Sequence, residues 1–500
     1  MKILFKGFVC DGISEPSRQA VLIENDKIIA VEKDISGSSA ADRTITVKNG
    51  IIAPGFIDCH GHSELSLLDA PDAASKRLQG FTTEIIGNCG LSAFPVTGCN
   101  RKHLSELYQN YHTALSWSTL PEYQQLLKER QAGLRVYSLC GHNTLRAAIA
   151  GYEKERLDVD EISAMKTLLQ SSLDTGALGM STGLLYVPGC FSDPAEIISL
   201  MQILAANDRV YATHLRSEGG ELLESLTETF ECAVEAGLKR VLISHFKTAR
   251  PENWHKLDAA LELINRYRHA GLDIHLDRYP YLESQTMLSV ILPPPYDTMR
   301  DAAITAELKD ESVRNHLTGI LRAQKTPQDW QRLRLTGARN SEFLPFLGKH
   351  FHEIPGDPAE NCIKILAADA TCATISAAGM SESNLQRIMA LDFCMCGSDG
   401  YALSLDSVHT NAHPRSFGSA AKFMRKLLDS NCQIGQAVRR MTALPAEFFR
   451  LPASGKLRPG NHADLTVFDP ETIDSKADFT SVCRPADGIL MTVVNGMVNG

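Results

Sequence analysis

Residues 51–65 read IIAPGFIDCHGHSEL: apolar pairs around a Pro54-Gly55 break, then an acid, then two histidines separated by one glycine. The run 51–58 is too short and too continuously apolar for an amphipathic helix, so it reads as a strand buried on both faces. Residues i and i+2 at a strand end point the same way. His60 and His62 can therefore converge on one metal ion, with Gly61 removing the side chain between them.

Further along the chain, short apolar runs at 82–87, 134–139, 177–181, 209–213, 240–244, 272–277 and 392–398 alternate with helical periodicities such as 159–175, 193–206, 221–237 and 256–270. Strand-helix alternation implies a parallel sheet, and eight such units predict a (β/α)8 barrel over 53–450. A doubly wound sheet is the alternative, but neither a GxGxxG after the first strand nor a GxxxxGK[ST] is present. Both ends of the chain carry short strands, with Asn25-Asp26 and Asn495-Gly496 as turn signals. The expectation is one small β domain built from 1–52 and 451–500, since chain termini often lie close together.

The barrel reading demands polar chemistry just after the strands. His60 and His62 follow the first, Asn88-Cys89-Gly90 the second, His142-Asn143 the third, His214 the fifth, His245 the sixth and Asp399 the eighth. Neutral imidazoles and a thiolate suit zinc, so His60, His62, Cys89, His214 and His245 are the candidate ligands. Gly87 and Gly90 leave room around Cys89 in its turn. Asp399, in CGSDG, is the candidate general base: a metal lowers the pKa of a bound water, and a neighbouring carboxylate can take that proton and pass it to a leaving amine.

The chain is 500 residues long, 44% hydrophobic and only 22% charged, enough to bury a large core. With 50 basic and 59 acidic residues, a net charge of −9 and no basic run, nucleic acid is excluded as an expected partner in favour of a small polar substrate. Thirteen cysteines in so large a chain imply reduced thiols, hence the cytoplasm, without a disulfide framework. Lys6 interrupts the apolar residues of MKILFKGFVCDG, so no signal peptide is expected, and no window suggests a membrane span.

The motifs PGFIDCHGH, GNCG, GHNTLR, GALGMSTGLLYVPG, THLRSEG, SHFKTA, DRYPY, CGSDG, HPRSFG and GKLRPGNHADLTVFDP occur in that order. Together they resemble the N-acyl-D-amino-acid deacylase (D-aminoacylase) family of the amidohydrolase superfamily over nearly the entire chain. The resemblance implies a zinc barrel with a small β domain that hydrolyses N-acyl-D-amino acids to a carboxylate and a free D-amino acid. It implies that Cys89, His214 and His245 hold a tight zinc, His60 and His62 a second, weaker site, and that Asp399 is the catalytic acid/base. Relatives that act on cyclic amides or dipeptides, the alternative substrates, would be expected to bridge two metals with a lysine, where this chain has Cys89. A scaffold without activity would be expected to lose ligands.

For the substrate, the resemblance points to Lys247, Tyr186 and Tyr279. Arg278 is a further candidate cation, although alternation turns it away from Asp277 and Tyr279. Gln285 stands where many relatives place a serine that binds the substrate carboxylate, and Glu64, after the HxH element, is a longer acid able to alter ligand orientation. Residues 287–347, opening on Pro293-Pro294-Pro295, interrupt the barrel between the seventh and eighth strands and are expected to form a lid over the catalytic end.

Overall fold

The computed structural model describes residues 1–33, 41–108, 111, 113–406 and 413–499. Parallel strands occupy its centre. Phe56–Asp58, Phe81–Ile86 and Arg135–Ser138 pair in that order. Cys140–Gly141, Gly179–Gly183, Val210–His214, Arg240–Ile243, Asp273–Arg278 and Cys394–Cys396 form a second parallel sheet. Between the two, the Leu139 N–H donates to Ile86 O and the Leu178 N–H to Ser138 O, both at 2.9 Å. At the other edges the Cys59 N–H donates to Cys396 O at 3.2 Å and the His62 N–H to Gly400 O at 3.0 Å.

Helices Val159–Asp174, Pro194–Ala206, Leu222–Glu235 and Leu257–His269 connect consecutive strands, in the places where the sequence shows helical periodicity. Two of them start on strong local signals. Asp158 and Asp193 accept from the N–H groups of Glu161 and Glu196, and Pro194 takes a first-turn position that needs no N–H.

The strand expected over 51–58 is in fact two. Arg43–Pro54 belongs to a separate seven-stranded sheet, where Ile51 and Ile52 pair with Phe468 and Val467, while Phe56–Asp58 opens the parallel set. The chain changes sheets at Gly55, which has to be glycine: a Cβ there would lie 1.9 Å from Thr82 Oγ1. That seven-stranded sheet takes strands from both ends of the chain, in the order Met497–Asn499, Ile489–Val494, Leu465–Phe468, Arg43–Pro54, Lys2–Val9, Ser17–Glu24 and Lys27–Glu32.

The segment expected at 287–347 is longer. Glu283–Met287 and Leu333–Gly337 both pair antiparallel with Thr374–Ala378, which forms the middle strand of a three-stranded sheet. A middle strand satisfies two ladders of backbone hydrogen bonds, so the unit runs from 283 to 378. It has an apolar core of its own, including Leu288, Ile304, Leu317, Phe351, Ile365 and Ile375. All thirteen cysteines are free thiols, and no described helix is long and apolar enough to cross a membrane.

Candidate active site

The donors foreseen after the strands come together. His60, His62, Cys89 and Asp399 form one group and Cys89, His214 and His245 another; within each, the donor atoms all lie within 4.8 Å of one another. Cys89 belongs to both. Its Sγ is 3.4 Å from His60 Nε2 and 3.3 Å from His245 Nε2, and the His214 and His245 ring centroids are 4.5 Å apart. Three of these residues, Cys89, His245 and Asp399, have positive φ angles of 51°, 36° and 51°. Such backbone costs about 1–3 kcal/mol per residue and persists where the surroundings impose it, as at ligand clamps.

The turn carrying Cys89 explains its glycines. A Cβ on Gly87 would meet Leu139 O at 2.1 Å, and one on Gly90 would meet Asn143 Oδ1 at 2.1 Å. Gly61, by contrast, does not clear space for an ion. Its Cβ would point at Glu84 Oε1, 1.8 Å away, so what it makes room for is a buried carboxylate.

Carboxylates behind the imidazoles set which ring nitrogens face the centre. Asp277 Oδ2 bonds His60 Nδ1 at 3.1 Å and its Oδ1 accepts the His245 N–H at 2.8 Å. Glu218 Oε1 lies 2.9 Å from His245 Nδ1 and also pairs with Lys247. With each Nδ1 engaged, the Nε2 atoms of His60 and His245 are left as donors to the centre, the usual arrangement behind metal-ligating histidines. Both ring nitrogens of His214 are buried without a hydrogen bond among the described residues, Glu218 Oε2 lying 3.7 Å from its Nε2. Sequence reading missed Glu218, and met Asp277 only as the neighbour of Arg278. Their signal was faint: each is an ordinary acid until folding sets it behind a histidine.

The local field favours charged donors. Burial pushes the Cys89 thiol up, but the charges of His60 and His245, joined by the neighbouring His214 ring and the His245 hydrogen bond, outweigh it and hold the thiol well below its ordinary range. For Asp399, burial is likewise outweighed, by the Arg415 guanidinium and the His62 bond, and the carboxyl sits well below the usual range. Its Oδ1 is 3.1 Å from His62 Nε2 and its Oδ2 accepts from Arg415 Nη1 at 2.6 Å. Burial lowers the His60 imidazole while Asp277 and Cys89 raise it, and the result lies well above the ordinary value. Protons and a metal ion therefore compete for these nitrogens, and metal uptake weakens as pH falls.

Beneath the donors lies a fully buried ionic knot that the sequence did not reveal. Lys76 Nζ bonds Asp58 Oδ2 at 2.7 Å, Ser398 Oγ at 2.8 Å and Gly400 O at 3.1 Å, and is 3.1 Å from Glu84 Oε1. Asp58 Oδ1 accepts the N–H groups of Ser398 at 2.8 Å and His60 at 3.2 Å. The knot thus ties the backbone at His60 to the backbone beside Asp399. Lys76→Met strands two buried carboxylates and is expected to cost about 3–5 kcal/mol, read as a lower denaturant midpoint at unchanged slope. A loss under 1 kcal/mol would refute this role.

Glu64 is built into the support. Its Oε1 accepts the Gly87 N–H at 2.7 Å, linking the HxH segment to the cysteine turn. His142 does not join the donors, because its Nε2 bonds buried Glu196 at 2.8 Å. Asn143 donates to Gly183 O and Tyr186 O, both at 3.2 Å.

The foreseen substrate residues divide. Lys247 Nζ is 2.9 Å from His245 Nδ1, and the Tyr186 ring centroid is 4.9 Å from that of His214. Tyr279 lies under the Arg415 guanidinium, 5.0 Å from its ring centroid, with a buried hydroxyl that has no partner among the described residues. Arg278 does not turn away from Tyr279 as alternation implied: its guanidinium lies 4.2 Å from that ring centroid, and it donates to Tyr281 O at 3.0 Å. Gln285 also points elsewhere, its Nε2 donating to Thr336 Oγ1 at 3.3 Å, while Ser284 and Thr286 line the cavity beside Lys247. The strand's two-residue period puts the neighbours of Gln285, and not Gln285, on that side. Arg415, unforeseen, is the buried cation next to Asp399.

The chain as a whole is similar to known amidohydrolases. The model of the Amidohydrolase family matches residues 397–498. An N-acyl-D-glutamate deacylase of Alcaligenes xylosoxydans xylosoxydans is 32% identical over 98% of this chain and 91% of the relative, and a D-aminoacylase of the same organism is 31% identical over 99% and 93%. The solved N-acyl-D-glutamate deacylase of Bordetella bronchiseptica, complexed with zinc and a phosphonate inhibitor, superposes with a TM-score of 0.82 at 29% identity, covering 99% of this chain and 96% of that one. With identity at this level spanning the whole chain, the protein belongs to the N-acyl-D-amino-acid deacylase (D-aminoacylase) family of the amidohydrolases.

Proposed function

We propose that the protein hydrolyses the amide bond of N-acyl-D-amino acids, yielding a carboxylate and a free D-amino acid, with zinc held at the histidine-cysteine cluster. The observation that carries this reading is the sharing of Cys89 between the two donor groups. A thiolate among imidazoles is a zinc donor set, and the nitrogens of His214, buried without a hydrogen bond, are what a ligand that binds only on metal uptake would present. Cys89, His214 and His245 would hold the tight ion, and His60 and His62 a second, weaker one. Zinc, when bound, supplies Lewis-acid activation of water and of the acyl carbonyl.

The chain's own groups do the rest. Asp399, kept ionised by Arg415 and His62, takes a proton from the attacking water and returns it to the departing nitrogen. Lys247 and Arg415 are the buried cations beside the donors, and with the free hydroxyl of Tyr279 they suit the substrate carboxylate. Tyr186 borders the scissile bond.

In this reading the two parallel sheets close as one (β/α)8 barrel over 53–450. Support comes from the edge hydrogen bonds and from a shared apolar cluster of Ile57, Ile85, Leu178, Ala212, Leu242 and Met395, drawn from strands and strand ends of both. The terminal sheet is the small β domain, the 283–378 unit is a lid, and the thirteen free thiols suit the cytoplasm. Hydrolysis of cyclic amides or dipeptides is less favoured, since the shared donor is a thiolate in place of a lysine.

The deciding experiment is chiral product analysis on paired N-acetyl-D and N-acetyl-L amino acids, with added zinc and with chelator. Turnover confined to the D series and abolished by chelator is expected. Equal turnover of both hands would remove the D-specific reading.

A further inference from the structure

A cavity of about 290 Å³ opens beside Lys247 and leads away from the donor cluster. Its inner end abuts the site: Lys247 touches His245, and Thr286 Oγ1 is 3.4 Å from the hydroxyl of Tyr186, which packs on His214. One face of the three-stranded sheet forms the wall, with Ser284 and Thr286 from one strand and Ile375 and Ala377 from the next. The volume amounts to roughly ten waters at about 30 Å³ each, room for one arm of a substrate.

The outer end is cationic. Arg250, Lys325 and Arg332 line it against the single carboxylate of Asp329. That carboxylate is already used, since its Oδ2 accepts from the Thr326 N–H at 2.9 Å and the Thr326 hydroxyl at 2.8 Å. Arg250 has only long pairings, 3.6 Å to Glu252 and 3.9 Å to Asp329. Lys325 and Arg332 enter no ion pair among the described residues, although each is partly buried. Three cations facing one carboxylate, two of them without an ion pair, at the end of a short, partly apolar cavity are poised for an anion of matching reach.

We infer that this cavity is a subsite for an anionic terminus of the substrate, a carboxylate carried either on the D side chain or on the acyl chain, met by Lys325 and Arg332. The inference rests on the deacylase reading and narrows its substrate class.

The test compares isosteric acid and amide pairs on the zinc-loaded, full-length enzyme. N-acetyl-D-glutamate against N-acetyl-D-glutamine probes the side-chain source, and N-succinyl-D-methionine against its terminal succinamide the acyl source. One acid is expected to exceed its amide in kcat/KM by about tenfold or more, and the double variant Lys325→Gln/Arg332→Gln should bring that ratio close to one. The ratio is the readout, so a loss common to both members of a pair cancels. Ratios within twofold in both wild-type pairs, or a preference that survives the double variant, would overturn the subsite. Absence of turnover on all four compounds would instead sink the deacylase reading, and the subsite with it.

Discussion

Asp399→Asn is expected to lower kcat by about 10²–10⁴-fold, the usual contribution of a positioned acid/base, while zinc content stays at the wild-type level. The asymmetry follows from the contacts. Asn keeps an oxygen and a shape able to bond His62 or Arg415, but it can no longer take a proton from water and deliver it to the leaving nitrogen. Arg415 would lose its charged partner, so thermal unfolding should accompany the kinetics to separate lost chemistry from lost structure. A variant that folds, binds metal and turns over at wild-type rate would end the role assigned to Asp399.

Cys89→Ala is expected to remove metal from both donor groups and take turnover to background, because one sulfur serves them jointly. Two comparisons make the result specific. His245→Ala, whose residue belongs only to the Cys89–His214 donor group, should lose the tight zinc, whereas His62→Ala should keep it and lose only the weaker ion. Elemental analysis after dialysis against metal-free buffer measures all three. Even a residue that only orients a ligand matters about 10–100-fold in metal affinity, so loss of a ligand itself should cost more. Wild-type zinc in Cys89→Ala, or equal losses in His245→Ala and His62→Ala, would mean that the donors are assigned to the wrong ions.

The buried knot below the site qualifies both experiments. Asp58 bonds the His60 and Ser398 N–H groups, and Lys76 balances Asp58 and Glu84 where no water reaches. Burial is what pushes the Glu84 carboxyl up to about 7, against the pull of Lys76. Substitutions in this layer should therefore act first on stability and only through it on catalysis, the reverse of the order expected for Asp399.

The sequence alone determined the candidate donors and their order along the chain. His60, His62, Cys89, His214, His245 and Asp399 each follow an apolar run, and the strand and helix periods that place them are local properties of a few residues. Only the tertiary structure decided what stands behind and beside them. Which carboxylate reaches which imidazole, that Gly61 yields to Glu84, that Gln285 faces Thr336, and that the strand at 51–58 breaks between two sheets all depend on atoms far apart in the chain. Local periodicity sets the direction of a side chain, but the partner it meets is set by packing across elements, and a buried charge can be placed only once every neighbour that compensates it is in position.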